Sequence, residues 1–213
     1  MALVPFMDVK QIRTQSLSIA TKAGIKISET LPLLDDGMSI RPTADAVNRL
    51  LALTAVAAAS YGFDKANALA WLKQEKLDDL LTRTELKFLA AGEGNPQAFQ
   101  IQIEGMWALA WALSMVPQLD FWKDCDNRFV MTLPNLKISQ RGADWRRKAK
   151  MRAADEIVAM CDLAYCLHWA VHQAQLERKA HPGRLKSHVV TERRRALEWL
   201  LSKESWDAVS LDT

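Results

Sequence analysis

The chain has 213 residues, 49% of them hydrophobic and 25% charged, with eight Trp. That is enough to bury roughly 70% of the unfolded surface, and it excludes a disordered chain. The net charge of +3 is uneven, since residues 141–195 carry 13 Lys/Arg against 6 Asp/Glu and leave the remainder acidic. No interleaved aromatic and basic residues accompany that basic stretch, which speaks against a nucleic-acid partner and for a solvated face. The longest apolar run, 50–59, falls far short of the roughly 20 residues that span a bilayer, so no membrane association is expected. Residues 1–8 show neither a basic start nor a sustained apolar stretch, so no signal peptide is expected. Three cysteines without paired spacing fit reduced thiols in a cytoplasm.

Helix formers dominate throughout, and no strict alternation marks a strand. A first helix is expected over 8–23, opened by Asp8 and stopped by Gly24, followed by an ordered loop through Pro32, Asp35-Asp36-Gly37 and Pro42. These residues, 1–42, are read as an N-terminal helix and loop packed on the body formed by 43–213. A second helix runs from Thr43, as its cap, to Tyr61 and Gly62. Its Ala-rich stretch 55–59 lets a neighbouring helix come close. Asp64 caps a helix through Trp71 and Leu72, and Thr82 with Glu85 has the spacing of a capping box. Pro96 is placed to open a helix over 96–116, and 118–139 reads as a loop pinned by Phe121, Trp122, Phe129 and Leu133. Residues 144–177 lack Gly and Pro, which allows one long helix or two with a kink between them. His181-Pro182-Gly183 ends this stretch, and a last helix follows over 189–202. The fold class is therefore all-α, a single-domain bundle of about seven helices with a long C-terminal helix pair.

The familiar catalytic signatures are absent: no phosphate loop, no His-Glu-x-x-His, no Gly-x-Ser-x-Gly and no Cys-x-x-Cys. Cys161, Tyr165, His168 and His172 recur at helical spacing and share one face. His168 and His172 are weak metal candidates, because no third ligand is evident. Glu104 and Asp162 sit in apolar helical stretches, where a carboxylate must be paired, hydrogen-bonded or protonated. Each is expected to pair with an Arg of another helix, Arg193 first. Buried thiols at 161 and 166, and Cys125 between two aspartates, are expected to be inert. Trp199 and Trp206 are placed to hold the C-terminal tail, and the three arginines 193–195 spread too widely round a helix to face one partner.

The last sixty residues carry several short motifs in a fixed order. They are Asp162-Leu-Ala-Tyr165, Leu167-His-Trp-Ala-Val171, Glu192-Arg193, Trp199-Leu200, Trp206-Asp207 and Asp212-Thr213. With Glu104, Trp107 and Trp111 upstream, this succession resembles the bacterial domain-of-unknown-function 4272 family over about residues 40–213. The resemblance implies an all-α fold and no particular activity. It marks Glu104, Asp162, Tyr165, His168, Glu192, Arg193, Trp206 and Asp207 as residues to follow. The chain departs from the family pattern at Cys166, where an Arg is common, and at Glu198, where an Asn is common.

Two functional expectations follow. The first is a non-catalytic protein-binding module without a cofactor, such as an immunity or adaptor protein for a secreted toxin. Tyr165, Glu192, Arg193, Trp199, Trp206 and Asp207 would then serve an interaction surface or a buried polar network. The alternative is a metal-assisted hydrolase using Glu104, Asp162 and His168.

Overall fold

In the computed structural model, which describes residues 2–3, 8–35 and 38–212, helices carry the chain. Met1, residues 4–7, Asp36-Gly37 of the expected loop and Thr213 lie outside the described residues. Asp8 opens α1 (Val9–Lys22) by accepting the amides of Lys10 and Gln11, donors that have no partner inside a helix. Gly24 stops α1 with a left-handed φ of +74°. The following loop is anchored by buried Ile25 and by Arg13, whose guanidinium donates to the carbonyls of Leu31 and Pro32. Ser39–Ile40 (β2) pairs antiparallel with Ala2–Leu3 (β1). Strands of two residues leave no alternation for a sequence pattern to register.

α2 (Thr43–Ser60) starts at Thr43 itself, so the hydroxyl lies inside the first turn and makes no cap, contrary to expectation. Thirteen of its 18 residues are buried, because α3 (Lys65–Glu75), α5 (Pro96–Gln100), α6 (Ile103–Ala112) and α7 (Ala143–Lys148) pack around it. Ala55 and Ala59 are buried within the chain, so this small-residue stretch is used internally. Asp64 caps α3, and the Thr82–Glu85 box opens α4 (Arg83–Ala91) with both reciprocal bonds formed. Asn95 caps α5, with Pro96 as its first residue.

The expected 96–116 helix is divided, and the 144–177 stretch takes the second of its two allowed forms as a pair of helices, which turns about seven into nine among the described residues. The 96–116 helix breaks at Ile101-Gln102 and stops at Ala112. Ser114, at φ +58°, turns the chain away. The terminal carbonyls of α6 are then satisfied from a distance. The amide of Lys150 donates to Leu113, that of Arg152 to Ala112, and the Arg152 guanidinium to Trp111, Val116 and Pro117. Those amides cannot also serve a local helix, so α7 ends at Lys148 and α8 (Ala154–Leu176) begins afresh.

α9 (Ser187–Leu201) packs against both α6 and α8, and α1 packs on α8. Gly105 permits the close approach of α6 to α9, since a Cβ there would lie 3.1 Å from the Glu192 carbonyl. Trp206 sits edge-on to Trp199 at 5.6 Å, with the Arg49 guanidinium 4.6 Å over its ring, so the tail is held to the body as expected. Among the described residues, no helix is long and apolar enough to cross a membrane.

Candidate functional site

The two buried acids singled out above each meet an arginine, but from different elements. Arg193 on α9 donates to Glu104 on α6, with Nε 3.0 Å from Oε2, and to the carbonyl of Lys123. Asp162 on α8 is instead gripped by Arg13 of α1, with Nη2 2.8 Å from Oδ1 and Nε 3.1 Å from both oxygens. All four side chains are buried. A third pair, Arg49 with Glu85, joins α2 to α4 and uses the carboxylate that also completes the capping box. Arg13 and Arg49 carried no signal in the sequence, because nothing local distinguishes an arginine that will be buried from one that will be solvated.

Along the α8–α9 seam, Arg194 donates to His168 Nδ1 at 2.7 Å, to Glu198 at 3.2 Å, and to the tail carbonyls of Leu211 and Asp212. Its guanidinium also lies 4.7 Å over the Tyr165 ring. Burial, then the charge of Arg194, lowers the His168 pKa to about 4, so the ring is neutral at physiological pH and accepts at Nδ1. His172, one turn on, is exposed, and the pair belongs to no group of three metal-ligating side chains among the described residues. Cys166 Sγ lies 4.0 Å from Asp162. Burial raises the Cys166 thiol to about 12 and lifts Cys161 as well, which keeps both inert. Glu192 is buried, with its pKa raised by desolvation. Arg195 Nε approaches it at 3.3 Å without the alignment of a hydrogen bond. The arginines of 193–195 thus face three different partners. Asp207 is exposed and holds a local turn by accepting from Ser205.

A concavity lies elsewhere. A groove of about 1470 Å³ runs between the end of α2, the α5–α6 joint and the loop 124–140. Five of its lining side chains are large, apolar and exposed: Tyr61, Ile101, Val130, Met131 and Ile138. Phe129, packed edge-on to Trp107 at 5.0 Å, fixes the loop that carries three of them, Val130, Met131 and Ile138. Glu104 lines this groove, while Asp162 and His168 do not.

Around Glu104 the groove wall also presents Asp124, Cys125 and His188. One donor atom each from Glu104, Asp124 and His188 lies within 4.8 Å of the others, and His188 Nε2 is 3.5 Å from Asp124 Oδ1. Lys186 pairs with Asp124 and holds its carboxyl below the usual range. The amide of Cys125 donates to Glu104 Oε1 at 3.0 Å. Burial, then the Glu104 charge, pushes the Cys125 thiol up to about 12. Asp124 and His188 are 64 residues apart and share no motif, which is why sequence spacing did not join them to Glu104.

Residues 12–209 match the family described as Domain of unknown function (DUF4272). The match begins well before residue 40, so it takes in α1 and the Arg13–Asp162 pair. No curated protein and no solved structure matches the chain. With nearly its whole length matched and an all-α architecture, the chain belongs to the domain-of-unknown-function 4272 family.

Proposed function

We propose that the protein is a non-catalytic binding module, and that the groove between α2, α5–α6 and loop 124–140 takes a segment of a partner protein. One observation carries this reading: of the ten large hydrophobic residues exposed among the described residues, half, namely Tyr61, Ile101, Val130, Met131 and Ile138, line this groove. Apolar side chains gathered in one exposed concavity mark an interaction site, where the same residues scattered would need no explanation. Trp199, Trp206, Arg193, Tyr165 and Glu192 then serve the interior that supports the groove. An immunity or adaptor role toward a secreted toxin, in a bacterial cytoplasm, is the specific form we propose. Three cysteines that are all free agree with that compartment.

The test is affinity capture with the full chain as bait, followed by reconstitution with the purified captured protein. A Met131→Asp/Ile138→Asp variant should bind it at least about tenfold more weakly, as expected when charge enters an apolar contact, and should keep the helical circular dichroism of the wild type. Equal affinity of variant and wild type, or no stoichiometric partner, overturns the reading. Co-expression of a captured toxin with each form then tests the immunity role.

A further inference from the structure

We propose that Glu104, Asp124, Cys125 and His188 form a site for a divalent transition-metal cation, with zinc the ion that the donor set fits. This does not rest on the binding-module reading. The donors are two carboxylates, an imidazole and a thiol, the ligand types that zinc takes in fours. They arrive from three elements: Glu104 from α6, Asp124 and Cys125 from the loop after it, and His188 from the first turn of α9. Bonds of about 2.0–2.2 Å to tetrahedral zinc set neighbouring N and O ligands roughly 3.5 Å apart. The 3.5 Å between His188 Nε2 and Asp124 Oδ1 already meets that spacing. Glu104, Asp124 and His188 lie within 4.8 Å of one another by their donor atoms, and Cys125 adjoins them, next to Asp124 in the chain and with its amide on Glu104 Oε1.

The surroundings are those of a supported site. Glu104 is fixed from behind by Arg193 and by the Cys125 amide. All four donors line the groove, so an ion reaches them from solvent. In the metal-free chain Lys186 neutralises Asp124. Its side chain is 52% exposed and can swing out as the ion enters. Arg193 stays and offsets the charge of Glu104, which suits an ion that exchanges over one that is locked in. On binding, Cys125 gives its proton to solvent and coordinates as the thiolate.

The experiment uses the full chain, stripped of metal, titrated with zinc by calorimetry and with cobalt by absorption. One ion per chain is expected, with a thiolate-to-cobalt charge-transfer band that disappears in Cys125→Ser. His188→Ala and Asp124→Ala alter half-exposed side chains and should leave the fold intact. Each should weaken zinc at least about tenfold, in line with the loss of a ligand or its support. His172→Ala, outside the site, should change nothing. Glu104 is left in place because its loss would strand Arg193 in the interior. Absence of stoichiometric zinc binding overturns the proposal, and so does binding that survives both the His188 and Asp124 variants. A missing thiolate band overturns the four-donor assignment.

Discussion

His168 is held neutral by its setting, and that makes one residue a source of pH dependence. Its pKa falls from the ordinary 6.5 to about 4, through burial first and then through the charges of Arg194, His172 and Arg195. A histidine with a lowered folded pKa binds fewer protons folded than unfolded. Its contribution to stability is therefore complete above about pH 6.5 and is lost as the pH falls through about 4. His168→Asn keeps an acceptor for Arg194 without the titration. Melting temperatures measured from pH 7 down to pH 4 should fall less steeply for this variant than for the wild type. Parallel curves would show that His168 does not titrate in that window.

At the scale of elements, the chain divides where its backbone donors are needed elsewhere. Arg152 is the clearest case: its amide and guanidinium together serve four carbonyls, those of Ala112, Trp111, Val116 and Pro117, and its guanidinium lies 4.9 Å over the Trp111 ring. Arg152→Ala removes the side-chain bonds and leaves the Val116 and Pro117 carbonyls without their donor, while Trp111 keeps the Ser114 amide and Ala112 the amide of residue 152. The expected cost is about 2 kcal/mol in urea unfolding, with faster amide exchange over 113–116. An unchanged midpoint would mean that water replaces the guanidinium. The starts of α1, α3, α4 and α5 were legible, because Asp8, Asp64, Thr82 with Glu85, and Asn95-Pro96 act within three residues of themselves. The break at 149–153 was not, because its cause lies about forty residues upstream in α6 and leaves no Gly or Pro behind. Of the acids, Glu104 showed its burial, and Arg193 was expected for either acid without being assigned to Glu104. Asp162 showed its burial but not its partner, since the choice among arginines is made by tertiary packing.

Across the whole molecule, the Arg13–Asp162 pair fastens the first helix to the longest one. Asp162→Asn leaves the Arg13 guanidinium buried without a counter-charge and should cost about 3–5 kcal/mol. The double variant Arg13→Met/Asp162→Leu should lose much less, although the Leu31 and Pro32 carbonyls forfeit their donor. Chemical denaturation of the three proteins decides it. A double variant as weak as the single one would show that the loop contacts of Arg13 dominate.

The two members of that pair are separated by 149 positions in the chain. During synthesis α1 leaves the ribosome well before α8, yet the carboxylate that its arginine requires is made 149 residues later. At about 5–20 residues per second, this is a wait of roughly seven to thirty seconds. The contact between α1 and α8 cannot form within it, and the nascent chain must pass that interval with the α8-facing side of α1 still uncovered.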